Sequence, residues 1–128
     1  MKVILVGIGG FAGSTSRYML GTWVHRVLRN PAFPYGTLAV NVAGCLLIGL
    51  LGGVAEQQRW LTPETHLLIV LGFLGGFTTF SSFGHETVTM AAQSRFSVAA
   101  ANVALQLLLG LGAVWAGRVA AGWMSGAS

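Results

Sequence analysis

The run from Gly72 to Phe83 combines residue types that suit ion binding and that are unusual in an uninterrupted helix. It reads GFLGGFTTFSSF, so two adjacent glycines precede hydroxyl residues at positions 78, 79, 81 and 82. Each glycine costs about 1 kcal/mol against alanine inside a helix, and hydroxyl side chains compete for backbone hydrogen bonds. The pattern predicts a helix broken at Gly75–Thr79, whose carbonyls and helix ends could bind ions. The alternative is a tightly packed glycine crossing with the hydroxyls bonded back to their own helix.

A few other polar residues stand alone within long apolar stretches. Asn102 and Gln106 are four residues apart and therefore share one face of a helix. Their amides offer N–H donors to an anion and carbonyl oxygens to a cation. Together with Asn41 and the hydroxyl residues, they predict a hydrogen-bonding path for an ion. Each amide taken singly is equally typical of hydrogen bonding between neighbouring helices.

Phe80 and Phe83 lie three residues apart beside the hydroxyl residues. A phenylalanine stripe usually serves packing, but the edge of an aromatic ring is positive and can favour a small anion without a full charge. The chain shows no nucleophile–base pair, phosphate-binding loop or metal-ligand spacing. We therefore do not expect an enzyme, and the polar residues leave an ion path and helix packing as the two alternatives.

The amino-acid composition indicates whether the surface of the protein faces water or membrane lipid. Of the 128 residues 54% are hydrophobic and only 8% are charged, whereas a soluble domain carries about 25% charged residues. The net charge of +4 comes from scattered basic residues and not from a basic stripe, which argues against nucleic acid as a partner. We expect most of the surface to face membrane lipid or other helices.

Four segments are long and apolar enough to cross a membrane. We predict an all-α integral membrane protein with a single membrane domain over residues 1–128. The predicted spans are residues 3–24, 37–55, 66–90 with the break at 75–79, and 98–123.

The basic residues hardly favour one orientation of these spans. Lys2, Arg59 and Arg118 fall on one side, and Arg26, Arg29 and Arg95 on the other. An excess of Lys and Arg normally marks the cytoplasmic side, so a near-balance suggests insertion in both orientations. Dual topology would permit an antiparallel dimer, although a weak bias toward one topology is the alternative.

Three motifs in chain order resemble the Fluc (CrcB) family of fluoride channels. The run from Gly72 to Phe83, followed by Glu86, resembles the third-span signature of that family. The run GTLAVNVAG from Gly36 to Gly44 resembles its second-span motif, and Gly13 with Arg17-Tyr18 its first-span motif. The resemblance covers essentially the whole chain, and its third-span motif is highly specific.

The resemblance implies a passive fluoride channel in the bacterial cytoplasmic (inner) membrane. It would form an antiparallel homodimer with two pores and a structural Na⁺ at the centre, bound by the carbonyls of Gly75 and Thr78. It implies a fluoride pore lined by Asn41, Phe80 and Phe83, with Thr79 and Ser82 as neighbours. Span four departs from some relatives, and its candidate pore residues here are Asn102 and Gln106. Arg17 and Glu86 would lie in a vestibule or serve structure.

Two other functional classes fit four small spans. A dual-topology exporter of cationic metabolites or drugs would need a carboxylate in its first span when coupled to protons, and residues 3–24 contain none. A non-transporting assembly protein would not need the glycine break and its hydroxyl residues.

Overall fold

The computed structural model describes residues 1–30, 32–58 and 62–126, and every regular element in these ranges is helical. Three helices are continuous, and the segment between the second and the last, here called the third span (residues 63–92), is built of shorter pieces. In chain order the elements are α1 (Lys2–Leu28), α2 (Tyr35–Gln58), α3 (Pro63–Thr65), a π-helix (His66–Leu74), α4 (Gly75–Phe77), α5 (Phe80–Ala92) and α6 (Phe96–Gly126). The predicted all-α class with four long apolar helical segments is confirmed.

The four segments are long and apolar enough to cross a membrane. They cover Lys2–Leu28, Tyr35–Glu56, Pro63–Ala92 and Phe96–Met124, and each contains its predicted span and extends beyond it at both ends. At a rise of about 1.5 Å per residue, each exceeds the roughly 30 Å hydrocarbon core of a bilayer. Arg59, which entered the charge comparison, lies outside the described residues.

The helices pack as two close pairs, in which α1 lies on the first half of the third span and α2 lies on α6. Glycines permit both approaches. A Cβ on Gly9 would overlap the Leu68 carbonyl oxygen, and a Cβ on Gly117 would overlap backbone atoms of Leu46 and Leu50. Small residues at such contacts let helix backbones approach closely where no hydrophobic effect drives association.

The third span is interrupted at Thr78 and Thr79, here called the break. Both residues have extended backbones, with φ −82° and ψ 158° at Thr78 and φ −150° and ψ 110° at Thr79. The predicted interval at 75–79 was too wide, because Gly75–Phe77 forms a helical turn. Its depth in the membrane stays a prediction.

The π-helix was not foreseen from the sequence. Gly75 N–H still reaches the Val70 carbonyl five residues back, which is the π pattern. This π-helical segment packs on α1, with Leu68 and Gly72 against Gly9, and the following turn at Gly75–Phe77 continues the same contact. No local residue pattern distinguishes it from an α-helix.

The contact between α2 and α6 gives a test with a matched control. Gly117→Ala is expected to destabilise the protein by roughly 1–3 kcal/mol, because the added methyl group overlaps the α2 backbone. Gly112→Ala on the same helix meets no atom within 4 Å and is expected to be neutral or to gain up to about 1 kcal/mol of helix propensity. Thermal unfolding of both variants in the same detergent measures the difference. Equal midpoints would contradict the packing described here.

Candidate functional site

The break is held by the side chain of Asn41, which projects from α2. Thr79 N–H donates to Asn41 Oδ1 at 2.8 Å, and Asn41 Nδ2 donates to the Thr79 carbonyl at 3.0 Å. The amide therefore pairs with the extended backbone of Thr79 as a neighbouring strand would. Because a backbone N–H can only donate, this pairing determines which atom of the Asn41 amide is oxygen.

The same logic determines the orientation of Gln106 on α6. Asn41 Nδ2 uses its second hydrogen to donate to Gln106 Oε1 at 3.1 Å. The Gln106 oxygen must accept this bond, so its nitrogen points elsewhere. Gln106 Nε2 is a buried atom with no hydrogen-bond partner in the structure. The site thus contains a neutral N–H donor without a partner, and the side chain of Asn41 lies between Gln106 and the break.

The hydroxyl residues of the break serve its helix ends. Thr79 is the N-cap of α5, where its Oγ1 accepts from Ser82 N at 3.1 Å and donates to Ser82 Oγ at 3.0 Å. Thr79 Oγ1 also lies 3.3 Å from Ser81 Oγ. Thr78 Oγ1 donates back to the Leu74 carbonyl at 3.0 Å. The alternative reading of the hydroxyls, as groups bonded to their own helix, is therefore correct for Thr78.

The break also removes the usual donors from backbone carbonyls of the third span, including those of Gly75 and Thr78. In a continuous helix, Thr79 N–H would bond to the Gly75 carbonyl and Ser82 N–H to the Thr78 carbonyl. Here these N–H groups donate to Asn41 Oδ1 and to Thr79 Oγ1 instead. Arg17 Nη1 lies 3.4 Å from the Thr78 carbonyl, a long contact that leaves that oxygen able to accept another ligand.

A groove of about 450 Å³, here called the central groove, collects most of the predicted site residues. Phe80 and Phe83 lie in it with ring centroids 5.4 Å apart and planes at 62°, and Phe80 is 82% exposed. The residues that line it are Asn41, Gly44, Cys45, Ile48, Val70, Leu74, Gly75, Thr78, Thr79, Phe80, Phe83, Gln106 and Leu107.

A second groove of about 370 Å³ lies on the other side of the break, between α1 and α2, and contains Arg17 and Ser82. Thr79 lines both grooves, so the break separates them. Ser82 lies in this second groove and not in the central one. Arg17 therefore lines an open groove and also contacts the break, and its vestibular or structural role stays a prediction.

Two further predicted residues, Glu86 and Asn102, line neither the central groove nor the second groove. Glu86 accepts a 2.6 Å hydrogen bond from Thr37, and its second oxygen is buried without a partner. Asn102 is fully buried and donates to Thr87 Oγ1 at 2.9 Å. Its contact with Thr87 places it between α5 and α6.

Sequence reasoning missed Thr37 and Thr87. Thr37 lies four residues before Asn41 and so shares its helix face, a spacing that could have revealed it. Thr87 had no such signal, because its role depends on a contact with α6. The described residues hold no cluster of three His, Cys, Asp or Glu side chains that could bind a metal.

Comparison with known proteins decides the family. The family described as CrcB-like protein, Camphor Resistance (CrcB), matches residues 4–118. The chain belongs to this family. A protein of Symbiobacterium thermophilum named fluoride-specific ion channel FluC 1 is 42% identical over 96% of this chain and 98% of its own length. One from Acidobacterium capsulatum, named fluoride-specific ion channel FluC, is 42% identical over 93% and 94% of the two chains.

This membership agrees with the fold. Four apolar helical segments together with relatives that are named ion channels make the chain a multi-pass membrane protein. The prediction that the chain is not an enzyme is confirmed, because its family is a class of ion channel. The resemblance identified from the three motifs is confirmed as well.

The pairing of Asn41 with the break predicts local protection from hydrogen exchange. Asn41→Ala is expected to speed exchange of the Thr79 amide by roughly 10–100-fold, because the N–H loses its only recorded acceptor at a cost of about 1–3 kcal/mol. Cys45→Ala, one turn further along α2 and also lining the central groove, is the matched control and should leave that rate unchanged. Equal exchange in both variants would show that Asn41 does not hold the break.

Proposed function

We propose that this chain is a passive, fluoride-selective channel that exports cytoplasmic fluoride. The observation that carries the proposal is the buried, unpartnered Nε2 of Gln106 in a groove lined by Phe80 and Phe83. The relatives named fluoride-specific ion channels support the same ion.

The chemistry of the groove suits a small, strongly hydrated anion. A selective pore must replace the water of fluoride with donors, and Gln106 Nε2 is a donor that lacks a partner. The positive edges of Phe80 and Phe83 add attraction without a fixed charge. Because no lysine or arginine is among the described residues that line this groove, an anion would be held weakly enough to leave.

Asn41, Thr79 and Ser82 contribute to this path mainly by placing other groups. Both N–H bonds of Asn41 and the hydroxyl of Thr79 already have acceptors. Thr79 lies between the two grooves, so an ion that passes from one to the other must pass the break. Arg17 lines the second groove, where its positive charge would attract anions. Glu86 lies outside this groove and bonds to Thr37, which lines it.

We further propose that the channel is an antiparallel homodimer with two pores. The near-balance of basic residues between the two sides of the membrane supports insertion in both orientations. The central groove is not covered by other parts of this chain at Phe80, whose side chain is 82% exposed. A second copy facing the break would cover this groove and bring two breaks together.

A structural Na⁺ fits the carbonyls at the break. The carbonyls of Gly75 and Thr78 lose their usual helical donors, and neutral carbonyl oxygens are ligands that hard cations prefer. Bound there, Na⁺ would supply a fixed positive charge between the two breaks. The residues that would hold it, Gly75 and Thr78, both line the central groove that faces the proposed partner.

We place the protein in the bacterial cytoplasmic (inner) membrane, surrounded by lipid. Large exposed apolar side chains along α1 and α6, among them Phe11 and Trp115, support a lipid-facing surface. Passive export in that membrane would lower cytoplasmic fluoride without a coupled ion.

The decisive experiment is efflux from liposomes that contain this protein alone. Fluoride is expected to leave at least about 100-fold faster than chloride, since chloride is too large to replace its water with the same donors. An imposed proton gradient should leave the fluoride rate unchanged. Chloride release as fast as fluoride release, or flux that depends on the proton gradient, would refute a passive fluoride channel.

Gln106 gives a sharper test of the donor. Gln106→Met keeps side-chain length but removes the free N–H, and fluoride flux is expected to fall by about tenfold or more. Leu107→Met, the next residue on the groove wall, is the matched control and should conduct normally. Protection of the Thr79 amide should survive in Gln106→Met, because Asn41 still pairs with it. Unchanged fluoride flux would remove Gln106 from the path.

A further inference from the structure

Among the residues that the structure describes, Asn102 is the one polar residue whose side chain is completely buried between helices. Asn102 Nδ2 on α6 donates to Thr87 Oγ1 on α5 at 2.9 Å, and Thr87 Oγ1 donates to the Phe83 carbonyl at 2.7 Å. A hydroxyl has a single hydrogen, so Thr87 must accept from Asn102. The three groups form a directed chain that ends on the backbone carbonyl of Phe83, a residue whose side chain lines the central groove.

The remaining atom of the Asn102 amide does not suit an anion. Asn102 Oδ1 is buried and has no partner, and an amide oxygen can only accept a hydrogen bond. Asn102 is also absent from the residues that line the central groove. Asn102 Nδ2 gives one of its two hydrogens to Thr87, so the contact that the structure shows for this amide is with α5 and not with the groove.

The helix that carries both groove phenylalanines depends on few contacts. Within this chain α5 packs mainly on α6. Among the described residues, only two side-chain hydrogen bonds tie α5 to another helix, Thr37 with Glu86 and Asn102 with Thr87. The second lies one helical turn from Phe83, and Asn102 itself lies one turn before Gln106.

We propose that Asn102 is a positioning residue for fluoride selectivity, which acts through Thr87 to set the distance between Phe83 and Gln106. One face of α6 then carries both Gln106, the proposed donor to fluoride, and Asn102, which bonds to α5 through Thr87. Loosening this bond would let α5 shift and widen the groove, so that a larger anion passes more easily. The inference rests on the proposed fluoride channel and adds a residue to its selectivity.

Thr87 offers the cleanest test, because valine has the same shape and lacks the hydroxyl. In liposomes, Thr87→Val is expected to reduce the fluoride-to-chloride permeability ratio by about tenfold, and Thr87→Ser should restore it. Thr89→Val on the same helix is the matched control, since the structure records no side-chain hydrogen bond for Thr89, and it should keep the wild-type ratio. Asn102→Ala should reproduce the loss, and Asn102→Ala/Thr87→Val should be no worse than either variant alone.

A second readout does not depend on conduction. Hydrogen exchange across residues 80–92 should be faster in Thr87→Val than in Thr89→Val, because only the former frees α5 from α6. Equal exchange in these two variants, a wild-type permeability ratio in Thr87→Val, or independent effects of Asn102→Ala and Thr87→Val would each overturn the inference. A wild-type protein that conducts no fluoride but shows the exchange difference would refute the proposed function and leave the positioning contact standing.

Discussion

The pairing between Asn41 and the backbone of Thr79 is the interaction on which the site depends. A break in a membrane helix exposes an N–H and a carbonyl that lipid cannot satisfy, and each unsatisfied group costs several kcal/mol. The Asn41 amide satisfies both groups of Thr79 at once, with bonds of 2.8 and 3.0 Å. The same amide then turns the free N–H of Gln106 away from the break. One side chain therefore permits the interruption and also orients the donor beside it.

Helices from different parts of the chain converge on the break. Asn41 comes from α2, Arg17 from α1 and Gln106 from α6, and each contacts the break or a residue that does. Glycine contacts make this convergence feasible, because α1 packs directly on the first half of the third span and α2 on α6. The second half, α5, has no comparable glycine contact recorded with α1 or α2. Its position depends more on individual polar bonds, which is why Thr87 and Thr37 acquire a role that their residue types do not reveal.

The central groove contains neutral polar and aromatic side chains, while the charged residues Arg17 and Glu86 lie outside it. Gln106 Nε2 and the phenylalanine edges carry partial positive charge, whereas Arg17 lies in the second groove beyond Thr79. In the proposed channel, this arrangement would favour an anion in the groove without a fixed charge that binds it tightly. The carbonyls of Gly75 and Thr78 point to the opposite requirement, since they suit a cation. A fixed cation at these carbonyls and a mobile anion beside the phenylalanines would occupy neighbouring but chemically distinct places.

The sequence by itself determined that the chain is a membrane protein, that it has four spans, and that the third span is interrupted, although not where the interruption begins. Composition and the length of apolar runs report on lipid exposure directly, and paired glycines followed by hydroxyl residues weaken a helix wherever they occur. The tertiary structure decided which polar groups remain free. Asn102 and Gln106 are amides one turn apart on the same helix, yet Asn102 donates to Thr87 and retains a free oxygen, whereas Gln106 accepts from Asn41 and retains a free N–H. The π-helical stretch and the helical turn at Gly75–Phe77 were likewise decided by contacts with α1 and α2. Hydrogen-bond direction depends on partners that lie far away in the chain, and no local pattern in the sequence contains that information.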